Sequence, residues 1–283
     1  MKQYQEILEV VLEQGTKQSN RTGVDAINVP SAMFKHDMTQ GFPLLTTKKM
    51  AWRAIVGELI GFLRGYQNAA DFRALGCSIW DANANENKDW LDNPHRRGQD
   101  DLGRIYGAQW RGWRRRDGLT MDQLAAVLNR MQDNPKDRRL VVSAWRPDEL
   151  EEMALPPCHM LFQFCVDVER KQLSLNWIQR SVDAFLGLPF NIASYGLLLE
   201  MVANLFGYTP KYLTGFLSNV HLYENHVDQA AEQISRMPLE LPEVEVYLPK
   251  RDELVRALAE VEPHNIELIG YRSYDAIKAP MAV

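Results

Sequence analysis

Residues 155–195 read LPPCHMLFQFCVDVERKQLSLNWIQRSVDAFLGLPFNIASY. Two apolar stretches, 159–168 and 173–181, flank a charged turn and predict a β-hairpin. An apolar run at 189–206 follows and predicts a central helix. Two prolines fix the approach to the hairpin, because each locks its own φ and biases the preceding residue toward extended backbone.

The cysteine at the start of this hairpin is a candidate nucleophile. Cys158 would lie at the mouth of one strand, with Arg180 on the neighbouring strand. Nearby positive charge favours the thiolate, which is the reactive form of the side chain. The other interpretation is a small buried apolar residue, the commoner role of cysteines outside disulfides. Spacing alone leaves both open, because a lone cysteine has no transferable signature.

Helices and strands mix without regular alternation along the rest of the chain, which predicts an α+β fold. The start, MKQYQEILEVVLEQG, is an amphipathic helix. Further on, we predict helices at 51–64, from Thr120 and at 222–235, and strands at 26–38, 138–145 and 211–220. The polar segment 85–103 predicts a surface insertion. No linker or repeat is visible, so residues 1–283 are expected to form a single domain.

Composition excludes several classes of protein. The formal net charge of -5 argues against a protein that coats nucleic acid. Cys77, Cys158 and Cys165 show neither zinc-ligand spacing nor a disulfide framework, which favours a reducing compartment. The N-terminal helix lacks the features of a signal peptide, and no apolar run reaches the roughly 18 residues of a membrane span. We therefore expect a cytoplasmic protein that needs no metal, membrane or nucleic acid for activity.

Four motifs occur in order: PPCH at 156–159, QRSVD at 179–183, FLGLPFNIASY at 185–195 and HLY at 221–223. Together they resemble the thymidylate synthase family, and the resemblance covers nearly the whole chain. It implies an α+β fold with a twisted mixed sheet flanked by helices, in a homodimer that packs sheet to sheet. The implied reaction is reductive methylation of dUMP to dTMP, in which Cys158 adds to C6 of uracil. The implied donor of the one-carbon unit and the hydride is 5,10-methylenetetrahydrofolate.

The arginines admit two interpretations. Arg21 beside a turn, and the pair Arg138 and Arg139 at a strand end, could be solvated charges or a phosphate clamp. The resemblance favours the clamp and adds Arg180 and Ser181 as phosphate ligands. It also implies that Arg138 and Arg139 reach in from the other subunit, so that the dimer shares its active sites.

Glu58 and Asn191 are each open to a structural alternative. Glu58 lies on a mostly apolar helix face, where it is either exposed or a buried base. Asn191 could cap the apolar helix. The resemblance makes Glu58 a relay of protons through water to the pyrimidine. It makes Asn191 the reader of the base, because an amide can pair with both N3–H and O4 of uracil.

The remaining site residues follow from the resemblance. His221 and Tyr223 match ligands of the sugar 3′-hydroxyl, and Tyr106 matches a catalytic-site tyrosine. The implied catalytic set is Cys158, Glu58, Tyr106, Arg180 and Asn191. Gln179 and Asp183 are further expected substrate ligands, and the expected folate residues are Ile79, Trp80, Asp183, Gly187, Phe190 and, in the closing tail, Ala282.

The sequence departs from the family pattern at three places. Ser218-Asn219 replaces a glycine-aspartate pair, Ile178 stands where a tyrosine is usual, and Asn83 replaces a tryptophan. These positions are expected near the folate and the sugar, so they bear on the last step of the reaction.

Two alternative functions remain at this point. A dUMP hydroxymethylase would use the same folate and end with addition of water instead of hydride. A noncatalytic nucleotide- or RNA-binding relative is the other, and the presence of Cys158, Glu58 and Asn191 together argues against it.

Overall fold

The fold is built around one large β-sheet. The computed structural model describes residues 1–20 and 23–280. The helices of this part are α1 Lys2–Gln14, α2 Trp52–Arg64, α3 Ala69–Ala74, α4 Asp81–Asn85, α5 Lys88–Leu91, α6 Tyr106–Arg111, α7 Gln123–Asp133, α8 Gly187–Phe206, α9 Val227–Ser235 and α10 Leu254–Ala259. The strands are β1 Thr16–Gln18, β2 Ala26–Asp37, β3 Trp113–Arg114, β4 Thr120–Met121, β5 Val141–Ser143, β6 His159–Asp167, β7 Gln172–Gln179, β8 Val182–Asp183, β9 Thr209–Tyr223, β10 Glu243–Val246 and β11 Ile266–Ile269. None of the described helices is long and apolar enough to cross a bilayer.

Seven of these strands form the central sheet, in the order β1-β2-β9-β7-β6-β5, with β8 beside β9. β7 and β8 run parallel to β9, whereas the other neighbours are antiparallel. The sheet is therefore mixed, and helices pack against it. This confirms the predicted α+β fold with a mixed sheet flanked by helices.

A central part of the core lies between one face of this sheet and α8. Alternation along the predicted hairpin buries Phe162 and Phe164 of β6 and Leu175 and Trp177 of β7. Tyr195 of α8 stacks on Trp177, with the ring centroids 5.3 Å apart. Burial of one such side chain stabilises the fold by about 1.5–3 kcal/mol. The segment 155–195 thus supplies residues to both layers of the core.

The opposite face of the sheet carries exposed apolar side chains. Met33 of β2 is 61% exposed and Phe216 of β9 is 46% exposed. These two residues are direct cross-strand partners. Tyr212 of β9 and Val141 of β5 are exposed as well. A patch of neighbouring exposed apolar side chains marks an interaction surface more often than a solvated one.

Strand β9 is longer than the sequence indicates. The predicted helix from 222 is wrong at its start, because β9 runs to Tyr223 and α9 begins only at Val227. The cause is strand pairing: Ala26 and Asn28 of β2 lie opposite Tyr223 and His221. His221 and Tyr223 therefore project from a strand.

Two other elements differ from the prediction. The strand expected at 138–145 is limited to Val141–Ser143, the part that pairs with β6. Helix α7 is capped by Asp122, whose carboxylate accepts from the N–H of Ala125 at 2.9 Å. Thr120 pairs in β4 instead. Aspartate satisfies the same unpaired N–H groups at a helix start as threonine does.

The segment 85–103 is polar at its surface but has a buried anchor. Trp90 of α5 is only 2% exposed, and its Nε1 donates to the carbonyl of Asp101 at 2.7 Å. Leu102 is fully buried. That the segment is an insertion stays a prediction, but its apolar residues belong to the core.

Candidate active site

A cleft of about 610 Å³ opens where β6 begins and β7 ends. Five residues that the sequence assigns to the nucleotide line it: Cys158, Arg180, Ser181, His221 and Tyr223. They belong to the ends of strands that are close in the sheet order or to the turns beside them. Strand pairing therefore assembles this cleft from segments far apart in the chain.

Cys158 lies directly before β6 and is half-buried. Its N–H donates to the hydroxyl of Tyr106 at 2.7 Å. Its carbonyl accepts from the N–H of Arg180 at 2.8 Å. Both backbone groups of the cysteine are therefore bound, and a fixed backbone restricts where the thiol can lie, which favours reaction with a correctly placed acceptor.

Arg180 holds the loop that precedes the cysteine. Its Nε and Nη2 donate to the carbonyls of Pro157 and Pro156, at 2.9 and 3.0 Å. Prolines have no N–H, so the backbone of these residues can be bound only as an acceptor. The guanidinium also lies 5.1 Å from the centroid of the Trp145 ring. The guanidinium is therefore fixed beside the loop that leads into the cysteine.

Glu58 of α2 is buried, with 6% of its surface exposed, so the predicted alternative of an exposed side chain is wrong. Its Oε1 accepts from Trp80 Nε1 at 3.0 Å. Burial raises the pKa of Glu58 to about 7, and the Trp80 hydrogen bond opposes that rise. Tyr106, the partner of the cysteine N–H, packs edge-on against Trp80 with ring centroids 6.0 Å apart. A carboxyl that titrates near neutrality suits general acid–base chemistry.

The side chain of Asn191 is oriented by a chain of hydrogen bonds. Trp177 Nε1 donates to Gln179 Oε1 at 3.1 Å, which turns Gln179 Nε2 toward Asn191. Gln179 Nε2 donates to Asn191 Oδ1 at 3.0 Å and to the carbonyl of Ser181 at 3.1 Å. Because α8 begins at Gly187, Asn191 lies inside the helix and is not its cap.

Asp183 of β8 binds backbone groups that lead into α8. Its Oδ1 accepts from the N–H groups of Phe185 and Leu186, at 2.9 and 3.0 Å. Buried Lys48, which was not a predicted site residue, donates to the carbonyl of Phe185 at 2.7 Å. Burial lowers the pKa of Lys48 to about 7, while the charge of Asp183 opposes this shift. The only sequence signal for Lys48 is its position directly after the apolar run 42–45 and two threonines.

Comparison with known proteins shows the family of the chain. A family model described as thymidylate synthase matches residues 2–283. The chain belongs to the thymidylate synthase family. A thymidylate synthase of Pseudomonas syringae pv. tomato is 40% identical over 329 aligned positions, with both chains fully covered. Those of Pseudomonas putida and Bordetella parapertussis are 40% and 39% identical, again with full coverage of both chains. The resemblance predicted from the motifs is confirmed, and the hydroxymethylase alternative is not favoured.

Not every predicted residue of the thymidylate synthase motifs reaches the cleft. Arg138 and Arg139 are exposed and lie outside its lining. Arg21 and Ala282 lie outside the described residues. None of the described predicted folate residues is part of the cleft lining: Ile79, Trp80, Asp183, Gly187 and Phe190. The predicted residues Glu58, Tyr106, Gln179 and Asn191 also lie outside this lining.

Two residues of the family motifs contact the site without having been predicted. His159 Nδ1 is hydrogen-bonded to the hydroxyl of Tyr195 at 2.7 Å, and its ring stacks on Tyr106 with centroids 4.1 Å apart. Burial lowers the pKa of His159 to about 3, so its imidazole is neutral near pH 7 where it bonds to the Tyr195 hydroxyl. Its place next to Cys158 in PPCH was the available signal. Across residues 1–20 and 23–280, no three His, Cys, Asp or Glu side chains form a group that could hold a metal ion.

Proposed function

We propose that this protein is a thymidylate synthase that converts dUMP to dTMP by reductive methylation. The observation that carries the proposal is the placement of Cys158, whose N–H is bound by Tyr106 and whose loop is bound by Arg180. A nucleophile needs a thiol held in this way, whereas a binding module does not. The family match and the relatives named thymidylate synthase support the same reaction.

The first chemical step is addition of the Cys158 thiolate to C6 of uracil. The sulfur forms the new C–S bond, and the electron pair of the C5–C6 double bond moves toward C5 and O4 as an enolate. Glu58, acting through water, donates a proton to the pyrimidine and later accepts one. Its pKa of about 7 allows transfer in both directions near neutral pH.

Recognition of the base falls to Asn191. Its Oδ1 is fixed by Gln179, so the side chain presents a defined donor and acceptor to the uracil edge. Cytosine presents the reverse pattern on that edge, and a site built for one pattern rejects the other because polar groups are left unpaired. His221 and Tyr223 are proposed to hold the 3′-hydroxyl, since both line the same cleft as the thiol.

The phosphate is proposed to lie against Arg180 and Ser181, together with Arg21 of the same chain. Arg180 uses two of its five N–H donors on the proline carbonyls, so three are left for an anion. Guanidinium groups match the spacing of phosphate oxygens, which makes them suited to this role.

The residues expected at the folate fit a flat, partly apolar ring with hydrogen-bond donors. Ile79 and Phe190 are half-buried apolar side chains, and the Asp183 carboxylate has acceptor capacity beyond the two N–H groups it already binds. When bound, 5,10-methylenetetrahydrofolate supplies the one-carbon unit and the hydride. Trp80, an expected folate residue, is hydrogen-bonded to Glu58, so the proposed proton relay and the proposed folate site are in direct contact.

We further propose a homodimer that packs sheet to sheet and shares its active sites. The exposed apolar face around Met33 and Phe216 supports this arrangement, because a second copy would remove it from water. Arg138 and Arg139 are exposed beside the β5 edge of the sheet and outside their own chain's cleft. The dimer would place them against the phosphate bound by the partner subunit.

A cytoplasmic location is proposed on chemical grounds. Addition to C6 requires a reduced thiol at Cys158, and the cytoplasm keeps thiols reduced. The substrates are small molecules held in a cleft of about 610 Å³, so activity is proposed to need no nucleic acid.

The product made from dUMP and 5,10-methylenetetrahydrofolate tests this function. Mass spectrometry should find a nucleotide heavier than dUMP by CH₂, and the absorbance change of dihydrofolate should match it mole for mole. The matched control is Cys158→Ala, which should give neither signal. A product heavier by CH₂O, with the tetrahydrofolate left unoxidised, would replace the synthase by a hydroxymethylase.

A further inference from the structure

The loop that leads into Cys158 is held mainly through its carbonyl groups. The carbonyls that accept a hydrogen bond, with their donors, are those of Glu151 (Asn93 Nδ2, 3.0 Å), Glu152 (the N–H of Arg104, 2.9 Å), Ala154 (Asn87 Nδ2, 3.0 Å), Pro156 (Arg180 Nη2, 3.0 Å) and Pro157 (Arg180 Nε, 2.9 Å). Asn87 and Asn93 belong to the segment 85–103, and Arg104 follows it directly. One side of the catalytic loop is thus bound by Arg180, and the other side is bound by this segment.

Asn87 is the donor nearest to the cysteine on that second side. It occupies the cap position of α5, where an asparagine side chain normally bonds to an N–H of the helix. Here the side chain makes no cap hydrogen bond, and Nδ2 is directed to the Ala154 carbonyl instead. The N–H of Ala154 donates to the carbonyl of Leu102 at 3.0 Å. Both backbone groups of Ala154, four residues before the thiol, are therefore held by segment 85–103.

The base from which Asn87 acts is rigid. Trp90 is buried and hydrogen-bonded to Asp101, and Gly103 pairs with Met153 across a β-bridge. Gly103 has φ of +65°, and a Cβ at this position would lie 2.0 Å from the Glu152 carbonyl oxygen. Only glycine allows the two chains to approach this closely. The segment is therefore locked against the catalytic loop by backbone contact as well as by side chains.

The same segment forms a wall of the cleft. Asn87, Asp89, Trp90 and Asn93 line the cleft together with Cys158. We propose that Asn87 is a positioning residue for the methylation reaction. It fixes the backbone of the catalytic loop by donating to the Ala154 carbonyl, and in this way segment 85–103 helps to hold the thiol in place. This inference rests on the proposed function for its kinetic consequences, but the contacts themselves do not depend on it.

Two variants of Asn87 test the inference. Asn87→Ala removes the side chain, and Asn87→Asp keeps its shape but replaces the donor by a carboxylate oxygen. Each should lower kcat about tenfold, because loosening a reacting group reduces effective alignment, and should leave KM for dUMP within about twofold. Hydrogen exchange measured by mass spectrometry should show faster exchange in peptides covering 150–160 and unchanged exchange in β2 and α8. If Asn87→Ala fails to fold, the isosteric Asn87→Asp carries the test.

Asn204→Ala is the matched control. Asn204 Nδ2 donates to the carbonyl of Val246 at 3.0 Å, a bond of the same kind and length as that of Asn87, but neither residue lines the cleft, so kcat should stay within about twofold of wild type. Unchanged kcat in both Asn87 variants would overturn the inference. A higher KM for dUMP at unchanged kcat would overturn it as well, because Asn87 would then be a ligand-binding residue. Hydrogen exchange needs no turnover, so it tests whether Asn87 holds residues 150–160 even if the wild-type enzyme makes no dTMP. That absence of product would contradict only the proposed function.

Discussion

Replacing Glu58 by glutamine should stabilise the folded protein at neutral pH and at the same time remove most of its activity. Burial raises the pKa of Glu58 from its ordinary value of 4.5 to about 7. The folded protein therefore holds this proton more tightly than the unfolded chain does. The stability that the proton on Glu58 contributes is fully present below pH 4.5 and is lost as the pH rises through about 7. Glutamine has no proton to lose, so the variant escapes this pH-dependent loss.

The size of the effect follows from the two pKa values. Each pH unit between 4.5 and about 7 changes the free energy of unfolding by about 1.4 kcal/mol. The wild type should therefore lose about 3 kcal/mol relative to Glu58→Gln across this interval, as an upper figure. Above pH 7 the difference should become constant. Glutamine keeps an oxygen that can accept from Trp80 Nε1, so the 3.0 Å hydrogen bond is retained.

Urea unfolding of both proteins from pH 4 to pH 8, at one protein concentration, measures this difference. Glu200→Gln is the matched control, because burial on α8 also raises the pKa of Glu200 to about 7. It should show the same pH trend in stability and keep its turnover, whereas Glu58→Gln should lose about 10²- to 10⁴-fold in kcat. If the difference in the free energy of unfolding between wild type and Glu58→Gln does not change with pH, Glu58 does not have the raised pKa that its burial predicts. Full turnover in Glu58→Gln would refute the proton relay.

Cys158→Ser should still bind dUMP by calorimetry but lose at least about a thousandfold in kcat, because a serine hydroxyl is not ionised at neutral pH; higher residual turnover would contradict covalent catalysis. Mixing Arg139→Ala with Cys158→Ala should restore activity, because one site of the hybrid dimer would be whole; confirmed subunit exchange without activity would show that sites are not shared. Asn191→Asp should shift kcat/KM from dUMP toward dCMP, because Gln179 can still donate to the new carboxyl while its proton can be offered to N3 of cytosine. An unchanged dUMP:dCMP ratio would show that residue 191 does not read the base.

Much of the fold could be predicted because its central segment is locally consistent. The period-two alternation of 159–168 and 173–181 matches strands with one buried face, and the apolar run after Pro189 matches a helix buried almost all round. The exit from β9 could not be predicted in the same way. VHLYENH has no strong preference of its own, and pairing of Ala26 and Asn28 with Tyr223 and His221 extends the strand.

The sequence by itself determined the family, because the PPCH, QRSVD, FLGLPFNIASY and HLY motifs occur in order and together resemble it. It could not determine whether Glu58 is exposed, since a carboxyl on a helix reads the same in either environment. Only the tertiary structure buried it beside Trp80 and thereby moved its pKa to about 7. Nor could spacing reveal that Asn87 and Arg180 bind the cysteine loop from its two sides. Burial and long-range hydrogen bonds depend on which segments of the chain pack together, and the local sequence around a residue does not show this.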